Sequence, residues 1–256
     1  MYICGIDVGS LSTDLVLTDE RGNVLGHTIL LTGSDPLEAA KDGFETLLSK
    51  LGIEREKIGK IVATGSGREM INFADTKITE ITCLAAGVHH VLPSCRTIID
   101  IGGQDTKVIA LSEDGKVLEF EMNDKCSAGT GRFLEVMSNA LGVPLDKMGP
   151  LSLKAEKPAL ISSVCTVFAE SEVVSLVAQG KPVEEILRGV HESIADRVLS
   201  LAERIEVKDD IALTGGVAKN IGVVRALEEK LGKKLYVYDE PQIVGAIGAA
   251  ILGMKG

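Results

Sequence analysis

Two stretches decide how this chain folds: YICGIDVGSLSTDLVLT at residues 2–18 and TIIDIGGQDTKVIAL at residues 97–111. Each is an apolar run that reaches an aspartate, Asp7 or Asp100, turns through a glycine loop and returns as a second apolar run. Val, Ile and Leu in runs of this length, bounded by Gly and Ser, read as strands (2–7, 13–18, 97–101 and 106–111) joined by tight turns. A third strand follows each pair, at residues 24–31 after the turn DERG (19–22) and at residues 116–122 after SEDG (112–115). The two aspartates lie 93 positions apart. Repetition of a whole strand–loop–hairpin motif predicts an α/β chain of two related lobes.

Outward from these motifs the pattern turns helical. Residues 36–51 form an expected helix, with Ser34 and Asp35 as candidate caps and Pro36 in its first turn. Further helices are expected over 127–141, 166–179 and 183–206, the last two parted by GKP at 180–182. A strand at 210–213, a helix at 219–231, a short strand near 235–238 and a helix at 242–254 finish the chain. No low-complexity linker interrupts it. The lobe boundary is expected near Pro93: residues 1–93 in the first lobe, 94–240 in the second, and 241–256 packing back on the first.

With 256 residues, 45% hydrophobic and 25% charged, the composition is that of a globular protein with a sizeable core. Aromatics are 3% and Trp is absent, so Val, Ile, Leu and Ala must fill that core. A formal net charge of −10 excludes a nucleic-acid footprint, and no Lys/Arg run offers a membrane-surface patch. The apolar run 243–252 is shorter than the roughly 20 residues that span a bilayer. The N-terminus is a strand pattern, not a signal peptide. A cytoplasmic location is expected, where the five cysteines would be free thiols or ligands.

The loops carry the first chemistry. Gly9 lets backbone N–H groups approach an anion, and Ser10, Ser12 and Thr13 add hydroxyl donors. Asp7 ends its strand where a carboxylate can hold Mg²⁺ through water. Gly102, Gly103, Gln104 and Asp105 after Asp100 repeat the design, and TGGVAKN at 214–220, opening a helix, suits the adenosine end of a nucleotide. No Walker A motif and no dinucleotide fingerprint is present. The expected ATP contacts are Gly9, Ser10, Ser12, Thr13, Gly102, Gly103, Ala128, Gly129, Gly215, Gly216, Val217, Lys219 and Gln242. The expected catalytic set is Asp7, Asp100 and Asp105 near Mg²⁺, with Gln104 orienting the attacking water. Three such loops resemble the superfamily of actin, sugar kinases and heat-shock chaperones, which implies ATP in a cleft between duplicated, actin-like lobes.

Cys126 (NDKCSAGTG, 123–131) and Cys165 (SSVCTVFAES, 162–171) each fall before or at the start of an expected helix. A helix N-terminus favours thiolate over thiol and would stabilise a bound anion. Buried structural thiols and zinc ligands are the other readings of these positions; no CxxC pair supports zinc. Cys4, Cys83 and Cys95 carry no assigned role.

The segments at 7–13, 64–68 (TGSGR), 100–107, 122–135 (MNDKCSAGTGRFLE), 165–174 (CTVFAESEVV) and 214–220 are similar to the activators of 2-hydroxyacyl-CoA dehydratases and the ATPase subunits of benzoyl-CoA reductase. That resemblance, nearly end to end, implies a homodimer in which Cys126 and Cys165 of both subunits hold one [4Fe–4S] cluster. It also implies ATP-driven one-electron transfer, from a ferredoxin- or flavodoxin-like donor through the cluster to a low-potential iron–sulfur enzyme. Two departures stand out: Asp14 where the family often has Lys, and Ser66 where an aromatic is common, which would alter a surface contact. A small-molecule kinase of the same superfamily, or a nucleotide-switched binding module, would share the fold without iron.

Overall fold

The structure, a computed structural model, describes residues 1–162 and 165–254. Ser163 and Val164 of the second cysteine motif, and residues 255–256 of the C-terminal segment, lie outside the described residues.

Strands β1 (Tyr2–Val8), β2 (Ser12–Thr18) and β3 (Val24–Leu31) form an antiparallel meander, to which β4 (Ile58–Thr64) and β5 (Thr76–Lys77) add in parallel, giving the order β3-β2-β1-β4-β5. The second sheet repeats this order and polarity: β6 (Thr97–Ile101), β7 (Thr106–Leu111) and β8 (Val117–Asn123) form the meander, with β9 (Ile211–Thr214) and β10 (Leu235–Val237) parallel beside β6. The duplication extends to register. Asp7 faces Asp14 across β1–β2, and Asp100 faces Lys107 across β6–β7.

Strands β1, β2, β6 and β7 read as unbroken apolar runs because both of their faces are covered, while the outer strands β3 and β8 are partly exposed. On the first sheet, Ile6, Leu15 and Leu17 pack against Phe44 and Leu47 of α1 (Pro36–Leu51), while Val16 packs against Ala246 and Ile247 of α8 (Val244–Gly253). On the second, Ile99, Ile101 and Val108 pack with Ile194 and Val198 of α6 (Val183–Ala202), while Ile98 and Ile109 meet Leu84 and Val88 of α2 (Glu80–Val91). Burying each such side chain contributes about 1.5–3 kcal/mol. Helices α2 and α8 lie against one another at the seam between the sheets. Glycine permits that approach: a Cβ at Gly87 would strike the Val244 carbonyl, and one at Gly248 would strike the Cys83 carbonyl.

Helix α1 has its expected bounds, with Asp35 accepting from the Leu37 and Glu38 amides at 3.1 Å and Pro36 at the first position. Four elements had no expectation: β4, β5, α2 and α4 (Leu145–Ser152). Other ends differ from the sequence reading. Helix α3 is Gly131–Leu141 and not 127–141, because residues 127–130 turn through Gly129 at φ +86 before it starts. Helix α6 stops at Ala202, and the C-terminal helix begins at Val244 after a 3-10 turn, Pro241–Ile243. A second 3-10 turn, Gly216–Lys219, separates the TGGVAKN loop from α7 (Ile221–Leu231), which Asn220 caps through the Gly222 and Val223 amides. No helix among the described residues is long and apolar enough to cross a membrane.

Candidate active site

The hairpin loops of the two sheets face each other across a cavity of about 700 Å³. They are built alike. The Gly9 amide donates to Ser12 O at 2.8 Å, and the Gly102 amide donates to Asp105 O at 3.0 Å. Asp7, Gly9, Ser10 and Ser12 line one wall, and Asp100, Gly102, Gly103, Gln104 and Asp105 the other. Gly215, Gly216, Val217, Lys219 and Gln242 close the sides. Three of the expected ATP contacts do not line it. Thr13 is buried, its hydroxyl donating to Thr32 (3.0 Å), which donates to Gly9 O (2.8 Å) and so braces the loop from behind. Ala128 and Gly129 are buried in the turn that precedes α3, with Gly129 against the Arg197 side chain.

The floor is acidic. Carboxylate oxygens of Glu80, Asp100 and Asp105 lie within 4.8 Å of one another. The fully buried Lys107 ammonium sits among them, at 2.8 Å from Glu80, 2.7 Å from Asp105 and 3.4 Å from Asp100. Burial opposes its charge, yet Asp100, Glu80 and Asp105 outweigh burial and raise the Lys107 pKa above the ordinary lysine value. Thr214 donates to the second Asp100 oxygen at 2.7 Å, fixing that carboxylate. Desolvation, and then the carboxylates of Glu80, Asp14 and Asp100, hold Asp7 well above its usual range, with Lys107 pulling the other way. So much negative charge, only partly offset, suits a hydrated divalent cation arriving with phosphates. Asp7, Asp100 and Asp105 fit Mg²⁺, which prefers few carboxylates and retained waters.

Asp14, the departure in the first loop, accepts from Ser12 Oγ at 3.1 Å and from Gln242 Nε2 at 3.2 Å; the same Gln242 nitrogen donates to Ser12 at 2.7 Å. Burial, reinforced by Glu240, pushes the Asp14 carboxyl up to about 7 against the pull of Ser12, Lys219 and Gln242. Ionisation above that pH puts a charge beside incoming phosphates. Wild-type nucleotide affinity is therefore expected to fall about tenfold more between pH 6 and 8 than that of Asp14→Asn, where the nucleotide's own titration is common to both. Equal pH slopes in a nucleotide-binding titration would remove Asp14 from the account. Ser66 is exposed and also lines this cleft, its hydroxyl 3.5 Å from Val8 O.

Beyond the loops, Leu134, Leu145, Pro150 and Ile221 give the cavity an apolar wall in the second lobe, which the sequence reading missed. Behind that wall Asn220 Nδ2 donates to His191 Nε2 (3.2 Å), His191 Nδ1 donates to Ser152 Oγ (2.9 Å) and Ser152 donates to Gly149 O (2.8 Å). The chain requires a neutral imidazole, and burial holds the His191 pKa down to about 4.

Cys165 is the N-cap of α5 (Thr166–Ala178) and is exposed. Cys126 is half-buried and lies five positions before α3, not at its N-terminus. The donor near its sulfur is Arg197 Nη2 of α6, at 3.8 Å. A hydrogen bond of 3.0 Å between Ser127 Oγ and Thr166 Oγ1 ties the two cysteine segments together. Cys4, Cys83 and Cys95 are buried, and burial pushes their thiols up to about 12, 12 and 11, which leaves them inert.

Two duplicated lobes closing matched glycine loops on an acidic cleft define an actin-like nucleotide-binding protein. The chain belongs to the BadF/BadG/BcrA/BcrD ATPase family, whose description matches residues 4–253. A relative from Anaerotignum propionicum, named activator of lactoyl-CoA dehydratase, is 46% identical over 98% of this chain and 96% of its own length. The solved activator of the 2-hydroxyisocaproyl-CoA dehydratase from Clostridium difficile, with bound ADPNP, is 42% identical, with a TM-score of 0.96 over 100% of this chain and 95% of that one. Component A of the (R)-2-hydroxyglutaryl-CoA dehydratase from Acidaminococcus fermentans is 39% identical, also with a TM-score of 0.96, over 100% of this chain and 98% of its own.

Proposed function

We propose that this protein hydrolyses ATP to drive one-electron transfer from a [4Fe–4S] cluster, shared by two identical subunits, to a low-potential iron–sulfur enzyme of the 2-hydroxyacyl-CoA dehydratase type. A ferredoxin- or flavodoxin-like protein is the donor. The observation that carries this reading is the Ser127–Thr166 hydrogen bond, which joins the segments of the two cysteines that are not buried, while the other three are buried. Two thiolates are half of a four-thiolate shell, and a second copy about a twofold axis supplies the rest. Helix α5 supports that second copy. It buries Ala169 and Val173 on one side, yet Val167, Phe168, Val174 and Val177 stand exposed on the other. A helix apolar on both sides is suited to burial by a partner.

When bound, the cluster supplies a one-electron carrier. Cys126 and Cys165 are its ligands, and Arg197 steadies the sulfur of Cys126 with a positive charge. In the cleft, the Gly103 amide and the Ser10 hydroxyl offer donors to phosphate oxygens while the Gly9 and Gly102 amides close their own turns, and Asp7, Asp100 and Asp105 would hold Mg²⁺. Gln104 orients the water that attacks the terminal phosphate. The nucleotide can move the cysteine segments only through its differential affinity for open and closed clefts.

The reading is tested by adding the reduced protein to a purified 2-hydroxyacyl-CoA dehydratase. Dehydratase activity should appear only when ATP and reductant are both present. Activation without ATP, or phosphate transfer to an added sugar or carboxylate with no effect on the dehydratase, contradicts it; the second outcome would identify a small-molecule kinase.

A further inference from the structure

Thr106 and Asn123 are cross-strand partners at the end of the β7–β8 hairpin, and their side chains hold the two ends of the loop that carries Cys126. Asn123 Nδ2 donates to Cys126 O at 2.9 Å, and the buried Thr106 hydroxyl donates to Gly129 O at 3.0 Å. Thr106 directly follows Asp105. The phosphate loop fastens the next residues as well, since the Gly131 amide donates to Gly102 O and the Arg132 amide to Gly103 O, both at 2.9 Å. Between the clamped ends, Thr130 Oγ1 donates to Ser127 O at 2.7 Å, and Ser127 reaches Thr166 beside Cys165. A continuous set of hydrogen bonds thus runs from the loop around Gln104 to both cysteine segments.

We propose that the Thr106–Asn123 pair is the positioning clamp through which the Gly102–Asp105 loop moves the Cys126 segment when the nucleotide changes. The inference rests on the proposed coupling of nucleotide to the cysteine site. Neither side chain lines the nucleotide cavity, so the clamp acts through backbone carbonyls and not on the phosphates. Thr106 to Val keeps the shape of the side chain and removes only the donor. Thr106→Val therefore leaves ATP hydrolysis within about threefold of wild type, because it subtracts a neutral hydrogen bond outside the cleft. What it should lose is communication.

Amide hydrogen exchange of residues 124–132, compared between Mg·ADP and Mg·ADPNP, reads that directly and does not depend on electron transfer. The wild type should show a nucleotide-dependent difference. Thr106→Val and Asn123→Ala should each reduce it at least fivefold, and Thr106→Ser, which restores the hydroxyl, should recover it. A wild-type difference that persists in both variants overturns the clamp and leaves the coupling intact. The absence of any wild-type difference overturns the clamp together with the coupling on which it rests.

Discussion

Gln104→Ala is expected to slow ATP hydrolysis about a hundredfold while leaving ADP affinity within about threefold. The backbone on both sides of Gln104 is pinned, by the Gly102–Asp105 turn and by the bonds from Gly131 and Arg132 to the carbonyls of Gly102 and Gly103. Gln104 itself is exposed and lines the same cleft as Asp7 and Gly9. A carboxamide there can accept from a water and donate to a phosphate oxygen at once, an arrangement needed only as the terminal phosphate is attacked. The loss should therefore fall on kcat and not on binding. Steady-state phosphate release and a nucleotide titration separate the two. An unchanged kcat would return the water to Asp105 or Glu80, the acids nearest the same wall.

The second large effect is structural. Gly248→Ala should destabilise the fold by about 3 kcal/mol or more and lower Tm by roughly 6–12 °C. The added methyl would collide with the Cys83 carbonyl oxygen and stand 2.7 Å from the Gly87 nitrogen, both backbone atoms of α2. No rotamer change can relieve that, so α2 and α8 must separate. Those helices cover opposite sheets and meet at the seam, and α2 carries Glu80 into the acidic floor. Thermal unfolding followed by circular dichroism measures the shift. An unchanged Tm would mean that the helices are less closely packed than described.

The duplicated motifs were legible in the sequence because each requirement leaves a residue signature. An apolar strand reaching an aspartate, a glycine turn and a returning apolar strand look the same at Asp7 and at Asp100. What stayed hidden was hidden for physical reasons. Strand β4 opens with Ile58, Gly59 and Lys60 and is buried only over residues 61–64, a run too short to mark a strand. Helix α2, EITCLAAGVHHV, exposes only a narrow face at Thr82 and His90, since most of it lies in the seam against α8 and the second sheet. Glu80 was therefore missed along with its helix. Lys107 could have been found, because a lysine within the wholly buried strand β7 needs carboxylates around it. Arg197 could not, because it reaches Cys126 from 71 positions away on α6 and nothing nearby in the chain marks it.

The cysteines show the limit most clearly. Their pairing was implied by family likeness, and the helix-terminus argument suits Cys165 better than Cys126, which sits in a loop clamped from β7 and β8. The geometry adds accessibility, a bond between the two segments and an arginine at one sulfur. These features suit a shared anionic cluster.

The most direct test of the central claim is iron, acid-labile sulfide and a visible spectrum, measured with the native mass on protein purified without oxygen. The account predicts a brown dimer with about four iron and four sulfide per dimer, lost on Cys126→Ser or Cys165→Ser with the ATPase retained. A colourless, iron-free protein that still hydrolyses ATP would contradict it.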